Sequence, residues 1–195
     1  MFLVAAIVST LASTGSPALC AGCTLDAPVT GEAMPLLVVL RDDRAGRAWR
    51  APALAGGFAI LTLAGWQRDE PRWIEDQVFA AARQRSIDLA RVYLVGDGDG
   101  AVYVARHVDA LSETFAAVVI TGGGEAPTVT GCPTEVLPAY FALGGGLGSG
   151  DASDPGTAAL RGYFERCRQP VTTSRQPAPA VLDWLRRHVR VTTVS

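Results

Sequence analysis

Short, uninterrupted runs of aliphatic residues limit the possible folds of this 195-residue sequence more than any other feature. Residues 36–40 read Leu-Leu-Val-Val-Leu and follow Pro35. A continuous apolar run of this length is typical of a parallel strand that is buried on both faces. Five further strands are predicted at residues 58–63, 92–95, 115–120, 135–143 and 170–174.

Segments with helical character separate these runs. Residues 71–83 begin with a proline at a favourable first helical position and place apolar side chains at helical spacing. By contrast, Gly46 and Pro52 interrupt residues 45–55, which are weakly helical at best. Further helices are predicted at residues 99–111, 157–167 and 179–190.

The alternation of strands and helices predicts the fold class. Parallel strands joined through helices need crossover connections, and these are almost always right-handed. We therefore expect an α/β fold with a doubly wound, mostly parallel sheet of about six strands. In such sheets ligands bind beyond the carboxyl ends of the strands, so the loops at that edge are the ones to inspect.

Composition supports one globular domain, at residues 33–191, because 49% of the residues are hydrophobic and only 18% are charged. The net charge is −2 and no basic block is present, so a nucleic-acid partner is not expected. No cofactor is expected either.

The amino-terminal residues predict export. Residues 2–12 form an apolar run of signal-peptide length, too short to span a membrane, and small residues follow up to position 22. We therefore expect a signal peptide at residues 1–22 and a periplasmic or extracellular protein without a transmembrane segment in its mature form. The usual basic residues before the apolar run are missing, so a hydrophobic first strand or helix is the alternative. Cys23 follows Cys20-Ala21-Gly22 and faintly resembles a lipoprotein acylation site.

Four cysteines fit an exported protein that can keep disulfides. Cys20 and Cys23 form a C-x-x-C, but in the processing region a redox or zinc role is not expected. Cys132 precedes the fifth predicted strand, and Cys167 ends the helix before the sixth. Both should lie near the amino-terminal edge of neighbouring strands, so a Cys132–Cys167 disulfide is possible; two separately buried thiols are the alternative.

Residues 91–100 read Arg-Val-Tyr-Leu-Val-Gly-Asp-Gly-Asp-Gly. This order predicts a buried strand, a tight glycine turn and then a helix. The layout is that of the nucleophile elbow G-x-S-x-G, in which the turn lifts a serine above the sheet. Here the five positions are Gly96, Asp97, Gly98, Asp99 and Gly100, and the serine position holds glycine.

With this elbow, the sequence resembles the α/β-hydrolase superfamily, in particular exported esterases of the polyhydroxybutyrate-depolymerase and feruloyl-esterase-like group. The resemblance is carried by Ser-Ile-Asp-Leu-Ala-Arg-Val-Tyr-Leu-Val-Gly at residues 86–96, Phe-Ala-Ala-Val-Val at 115–119 and Asp-Trp-Leu at 183–185, and it covers most of residues 35–188. It implies a trimmed α/β-hydrolase fold, because the segment before Pro35 has room for at most one short strand.

The sequence departs from this group at the positions that are expected to carry the catalytic chemistry. Gly98 cannot form an acyl-enzyme. The first strand of these families normally ends in His-Gly, whose loop supplies an oxyanion donor, but here Arg41, Asp42 and Asp43 follow, and two acidic residues would oppose a developing negative charge. The catalytic histidine is expected near residues 173–176, which read Thr-Ser-Arg-Gln. His107 and His188, the two histidines, are predicted to be ordinary helix residues.

We therefore expect an exported pseudoenzyme that has lost serine-esterase activity and acts as a binding or structural protein. Its partner would be a small molecule or a protein, which the sequence does not identify. The alternative is a carboxylic-ester hydrolase with weak or unorthodox activity that uses Asp97 or Asp99 at the elbow. Register argues against it, because with Asp99 at the tip Asp97 would occupy a position that must be small. The simpler interpretation is that both aspartates cap the elbow helix.

Loop aspartates are also expected to gather at the carboxyl edge of the sheet. The candidate binding residues there are Arg41, Asp42, Asp43, Asp151 and Asp154. Asp151 or Asp154 could be a remaining triad acid, although both are further beyond the strand than the family pattern places it. Clustered carboxylates suit calcium, but no twelve-residue calcium-loop spacing is present, so a solvated acidic rim without a metal is expected.

Overall fold

One seven-stranded sheet organises the computed structural model, which describes residues 18–40, 45–66, 70–128, 131–144, 147 and 154–190. The strands are β1 Thr24–Asp26, β2 Met34–Leu40, β3 Ala59–Leu63, β4 Ile87–Asp97, β5 Ala117–Gly122, β6 Ala139–Ala142 and β7 Val171–Ser174. Their order across the sheet is β1-β3-β2-β4-β5-β6-β7. β1 pairs antiparallel with β3, and the other neighbouring strands pair parallel.

Helices cover both faces of the sheet. They are α1 Ala45–Ala55, α2 Pro71–Gln84, α3 Asp99–Thr114, α4 Pro155–Arg166 and α5 Ala178–Leu185. Apolar residues of α2, α3 and α4 belong to one core and those of α1 and α5 to the other. In β4, Val92 and Leu94 join the first core while Tyr93 and Val95 join the second, so the strand is buried on both sides as its sequence predicts.

The predicted α/β class with a doubly wound, mostly parallel sheet is confirmed. The strand that brings the number from six to seven is β1, which is the one short strand for which the segment before Pro35 has room. β6 is shorter than the strand predicted at residues 135–143. Before it, the Leu137 amide donates to the Gln169 side chain (2.8 Å) rather than to a neighbouring strand.

Two helix predictions need correction. α1 is a full helix of eleven residues with Pro52 inside it, because Trp49 and Ala53 are completely buried in the second core and this packing outweighs the low local propensity. The final helix, predicted to reach residue 190, ends at Leu185. Five residues later, the Arg190 amide donates to the carbonyl oxygen of Ala90 (2.9 Å), which ties the end of the described chain to β4.

Both cysteine pairs form disulfides, Cys132 with Cys167 and Cys20 with Cys23. The first agrees with the pairing that strand order predicts. The second uses the Cys23 sulfur, so lipid attachment at Cys23, which stays a prediction, requires a chain from which Cys20 has been removed. Cys20 and Cys23 also pack within the fold, because the Ala64 amide donates to Cys23 Sγ (3.3 Å) and the Cys20 amide to Gln77 Oε1 (2.9 Å).

Residues 1–17, most of the predicted signal peptide, lie outside the described part of the chain. Among the residues described, no helix is long and apolar enough to cross a membrane. Two disulfides are consistent with an exported protein.

The disulfides should differ in their contribution to stability. Replacing Cys132 and Cys167 by serine removes a bridge across a sequence separation of 35, and we expect the free energy of unfolding to fall by about 4 kcal/mol because loop-closure entropy grows with loop length. In protein that retains Cys20, the matched double replacement of Cys20 and Cys23, separated by 3, should cost about 2 kcal/mol. Urea denaturation followed by tryptophan fluorescence measures both, and a larger loss for the short bridge would contradict the expectation.

Candidate functional site

The predicted elbow is present at the carboxyl end of β4, near the middle of the sheet. β4 ends at Asp97, α3 begins at Asp99, and Gly98 forms the turn with φ 52° and ψ −115°. Residues other than glycine rarely adopt such a backbone conformation, because a positive φ crowds the Cβ atom against the backbone. The Ala101 amide donates to the Gly98 carbonyl oxygen (3.0 Å), so the helix starts directly from the turn.

A close backbone contact requires glycine at the first position of the turn, and a tight side-chain contact disfavours a larger residue at the last. A Cβ atom on Gly96 would lie 2.7 Å from the carbonyl oxygen of Gly100, and a Cβ atom on Gly100 would lie 3.2 Å from Leu40 Cβ. The end of β5 and the start of the β5–β6 connection support the turn from the side, since the Gly98 amide donates to the Gly122 carbonyl oxygen (2.8 Å). A Cβ atom on Gly123 would lie 2.8 Å from Gly98 Cα.

The tip itself is different. A Cβ atom on Gly98 would have no described heavy atom within 4 Å, apart from its own chain neighbours. The elbow therefore keeps the tight packing around the turn and open space at the position where a nucleophile would stand.

The two elbow aspartates have different environments. Asp97 is 5% exposed, and its Oδ1 accepts a hydrogen bond from the Thr121 hydroxyl of β5 (2.9 Å). Asp99 is exposed in the first turn of α3, where a carboxylate interacts favourably with the positive end of the helix dipole. The capping interpretation is thus corrected in one respect: the N-cap residue is Gly98, and Asp97 precedes it. Thr121 was not among the residues selected from the sequence.

Of the predicted binding residues, Arg41, Asp42, Asp43 and Asp151 lie outside the described residues, so their gathering at this edge stays a prediction. Asp154 is described and caps α4, because its Oδ2 accepts a hydrogen bond from the Thr157 amide (2.7 Å).

The first turn of α4 also contacts the loop that supports the elbow. The Thr157 hydroxyl donates to the Gly123 carbonyl oxygen. Asp154 therefore caps the helical turn that Thr157 attaches to this loop, and the two histidines pack against other residues.

Neither histidine lies at the elbow. His107 is nine residues beyond Gly98, which is about 13 Å along α3, and its ring packs 4.4 Å from that of Tyr103. The helix departs from regular geometry at His107, with φ −121° and ψ 17°. Burial lowers the pKa of His107, while nearby Glu70 opposes part of that shift.

His188 is at the opposite edge of the sheet. It follows α5, so the prediction that it lies within the last helix is wrong. Its ring packs 4.1 Å from Trp184, and its carbonyl oxygen accepts a hydrogen bond from Tyr93 (2.8 Å). Tyr93 is four residues before the end of β4, about 13 Å along the strand. Burial, aided by the charge of Arg187, lowers the pKa of His188.

A small cavity lies beside the elbow, and it was not predicted from the sequence. Its volume is about 250 Å³ and it lies between the β3–α2 connection and one face of α3; its lining residues are Trp66, Asp99, Val102, Tyr103, Arg106 and His107. The spacing of the five helix positions is that of a single helical face, which is the signal that could have found it. Within the described ranges, no three metal-ligating side chains are grouped.

The elbow contacts predict unequal effects of alanine at two of its glycines. Gly98→Ala places a methyl group in open space but at positive φ, so we expect a loss of about 1–2 kcal/mol. Gly96→Ala forces a carbon against backbone, and the expected loss is larger, about 3 kcal/mol. The exposed Gly31→Ala is the control, with an effect within about 0.5 kcal/mol. Urea denaturation measures the free energy of unfolding of each variant. A larger loss for Gly98→Ala than for Gly96→Ala would contradict the expectation.

Comparison with solved structures identifies the architecture. A lipase/esterase from Lactobacillus plantarum superposes with a TM-score of 0.62 at 12% sequence identity, covering 85% of this chain and 92% of that one. The Bacillus cereus carboxylesterase gives 0.55 at 12% identity, covering 85% and 93%. The α/β hydrolase MGS-M1, from a Medee basin deep-sea metagenome library, gives 0.52 at 15% identity, covering 78% and 75%.

No protein family and no curated sequence matches the chain. The sequence identities to the solved structures are low, so the likeness shows the fold and does not show the activity. With its strand order, its elbow and these neighbours, the chain has a trimmed α/β-hydrolase fold.

Proposed function

We propose that this protein is an exported α/β-hydrolase-fold protein that has lost serine-esterase activity and acts as a binding or structural protein. The observation that carries the proposal is Gly98, which occupies the tip of an otherwise intact elbow. An acyl-enzyme needs a side-chain nucleophile at that position, and glycine has none.

The positions of the histidines support the loss of activity. A serine hydrolase needs a base within hydrogen-bond reach of its nucleophile. His107 packs on Tyr103 along α3, and His188 lies near the amino-terminal edge of the sheet. The loop after β7, where the resemblance places the histidine, begins with Arg175 and Gln176.

Export and the subgroup are parts of the same proposal. Export is supported by the apolar amino-terminal run and by the Cys132–Cys167 disulfide, which lies wholly beyond the predicted signal peptide. The polyhydroxybutyrate-depolymerase and feruloyl-esterase-like subgroup is supported by the sequence resemblance at residues 86–96 and 115–119. The binding partner on this proposal is a small molecule or a protein at the carboxyl edge of the sheet.

One observation favours a second candidate function, a weak carboxylic-ester hydrolase. Asp99 is exposed and lines the same cavity as His107, so a carboxylate and an imidazole face one small space beside the elbow. Asp97 is less suited to attack an ester, since it is buried and accepts the hydrogen bond from Thr121. On this alternative, Asp99 would be the nucleophile.

An esterase assay separates the two candidates. The purified mature protein is incubated with short-chain aryl esters and with hydroxybutyrate oligomers, and the rate is compared with that of the Asp99→Asn variant. We expect no turnover above the buffer rate for either protein. Clear turnover by the wild type that disappears in Asp99→Asn would overturn the proposal in favour of the second candidate.

A second variant tests whether a missing nucleophile is the whole defect. Gly98→Ser places a hydroxyl in the open space above the turn, yet we expect no esterase activity from it, because the base is also missing. Circular dichroism and urea denaturation confirm that the variant is folded. Substantial hydrolysis by folded Gly98→Ser would show that a base lies within reach of the elbow after all.

A further inference from the structure

A second, larger cavity lies at the edge of the sheet opposite the elbow. Its volume is about 450 Å³, and it is lined by Ala116, Glu135, Val136, Pro138, Pro170, Arg187, His188, Val189 and Arg190. Ala116, Pro138 and Pro170 directly precede β5, β6 and β7, which places the cavity beneath the amino-terminal ends of these strands. The volume is within the range of small-molecule sites.

The walls of this cavity are largely apolar and include exposed apolar side chains. Val136 is 67% exposed and Val189 is 53% exposed, although valine normally gains from burial. Pro138, Pro170 and Ala116 add further apolar surface. A ligand with an aliphatic part would cover surface that is otherwise in contact with water.

The polar groups of the cavity are mainly cationic. Arg190 is held in place by its backbone, which donates to Ala90 O (2.9 Å), and by its side-chain Nη1, which donates to Glu113 O. Its Nε atom is buried and has no hydrogen-bond partner among the described residues. An unsatisfied buried donor costs about 1–3 kcal/mol, so a turn of the side chain that brought Nε to a ligand acceptor would favour binding.

The remaining charges favour a single negative charge on the ligand. Arg187 contributes a second guanidinium at the exposed rim, and Glu135 contributes one carboxylate there. Burial and the charge of Arg187 lower the His188 pKa, which favours the uncharged imidazole. Two guanidinium groups and one carboxylate leave a net charge of about +1, which suits a monoanion better than a polyanion.

We propose that this cavity binds a small organic carboxylate with an aliphatic tail, its carboxylate at Arg190 and its tail against Val136, Pro138 and Val189. A guanidinium is the cation that carboxylates pair with best, because two parallel N–H groups match two oxygens. The site is separate from the elbow, so it stands whether the elbow is inactive or weakly hydrolytic.

Hexanoate is a suitable probe, and hexanamide is its uncharged match. Isothermal titration calorimetry of the wild-type protein should show saturable binding of hexanoate, with hexanamide at least about tenfold weaker because the charge-assisted hydrogen bonds are lost. Hexanoate should also raise the melting temperature, since a ligand of the native state stabilises by mass action. Absence of saturable hexanoate binding, or equal binding of the two probes, would overturn the proposal.

Two pairs of variants place the binding in this cavity. Arg190→Gln should weaken hexanoate binding by about tenfold or more, whereas Arg72→Gln, an exposed arginine on α2, should leave it unchanged. Val136→Glu adds a repelling carboxylate to the wall and should abolish hexanoate binding. Val29→Glu makes the same change at a fully exposed valine outside the cavity and should leave binding unchanged.

Val136 is mostly exposed, so Val136→Glu should fold even where Arg190→Gln does not. If folded Val136→Glu binds hexanoate as the wild type does, the proposal is wrong. The Asp99→Asn variant separates this site from the elbow, and it should keep wild-type hexanoate affinity. Binding that is sensitive to Asp99→Asn but insensitive to Val136→Glu would assign hexanoate to the elbow and overturn the proposal. The esterase activity of the elbow would still be decided by the esterase assay alone.

Discussion

The close approach of glycine backbones around the elbow is the constraint on which the centre of this fold depends. Gly96 allows the first turn of α3 to pass directly beside the end of β4, and Gly123 allows the β5–β6 connection to pass beside Gly98. Any side chain at Gly96 or Gly123 would require backbone to move. Since α3, β4 and β5 meet here, both the central crossover and one of the two cores depend on this contact.

Much of the fold could be predicted from the sequence because it is encoded locally. A parallel strand buried on both faces leaves a continuous apolar run, as at residues 36–40, and a helix after a glycine turn leaves apolar residues at helical spacing. Helix α1 could not be predicted in this way, because Pro52 and Gly46 argue locally against it. Its stability comes from burial of Trp49 beneath the sheet, which depends on tertiary packing.

The parts of the site that escaped prediction depend on register between distant segments. Thr121 meets Asp97 across 24 residues only because a register shift near the end of β4 places Asp97 opposite the end of β5. Similarly, the cavity at Arg190 joins residues that precede three strands with the segment after α5. The elbow was predictable, by contrast, since strand, turn and helix are consecutive in the chain.

The elbow also shows that its glycine pattern and its chemistry serve different ends. Gly96 is required by packing and Gly100 is favoured by it, so a chain that keeps this crossover has reason to keep them whether or not it hydrolyses anything. A Cβ atom at the tip would meet no described atom beyond its chain neighbours, so a side chain there is free of that packing constraint. The positive φ of the turn is tolerated best by glycine, so Gly98 avoids strain that a serine would impose at this position. The flanking glycines therefore identify the architecture, and the tip residue is the one that bears on activity.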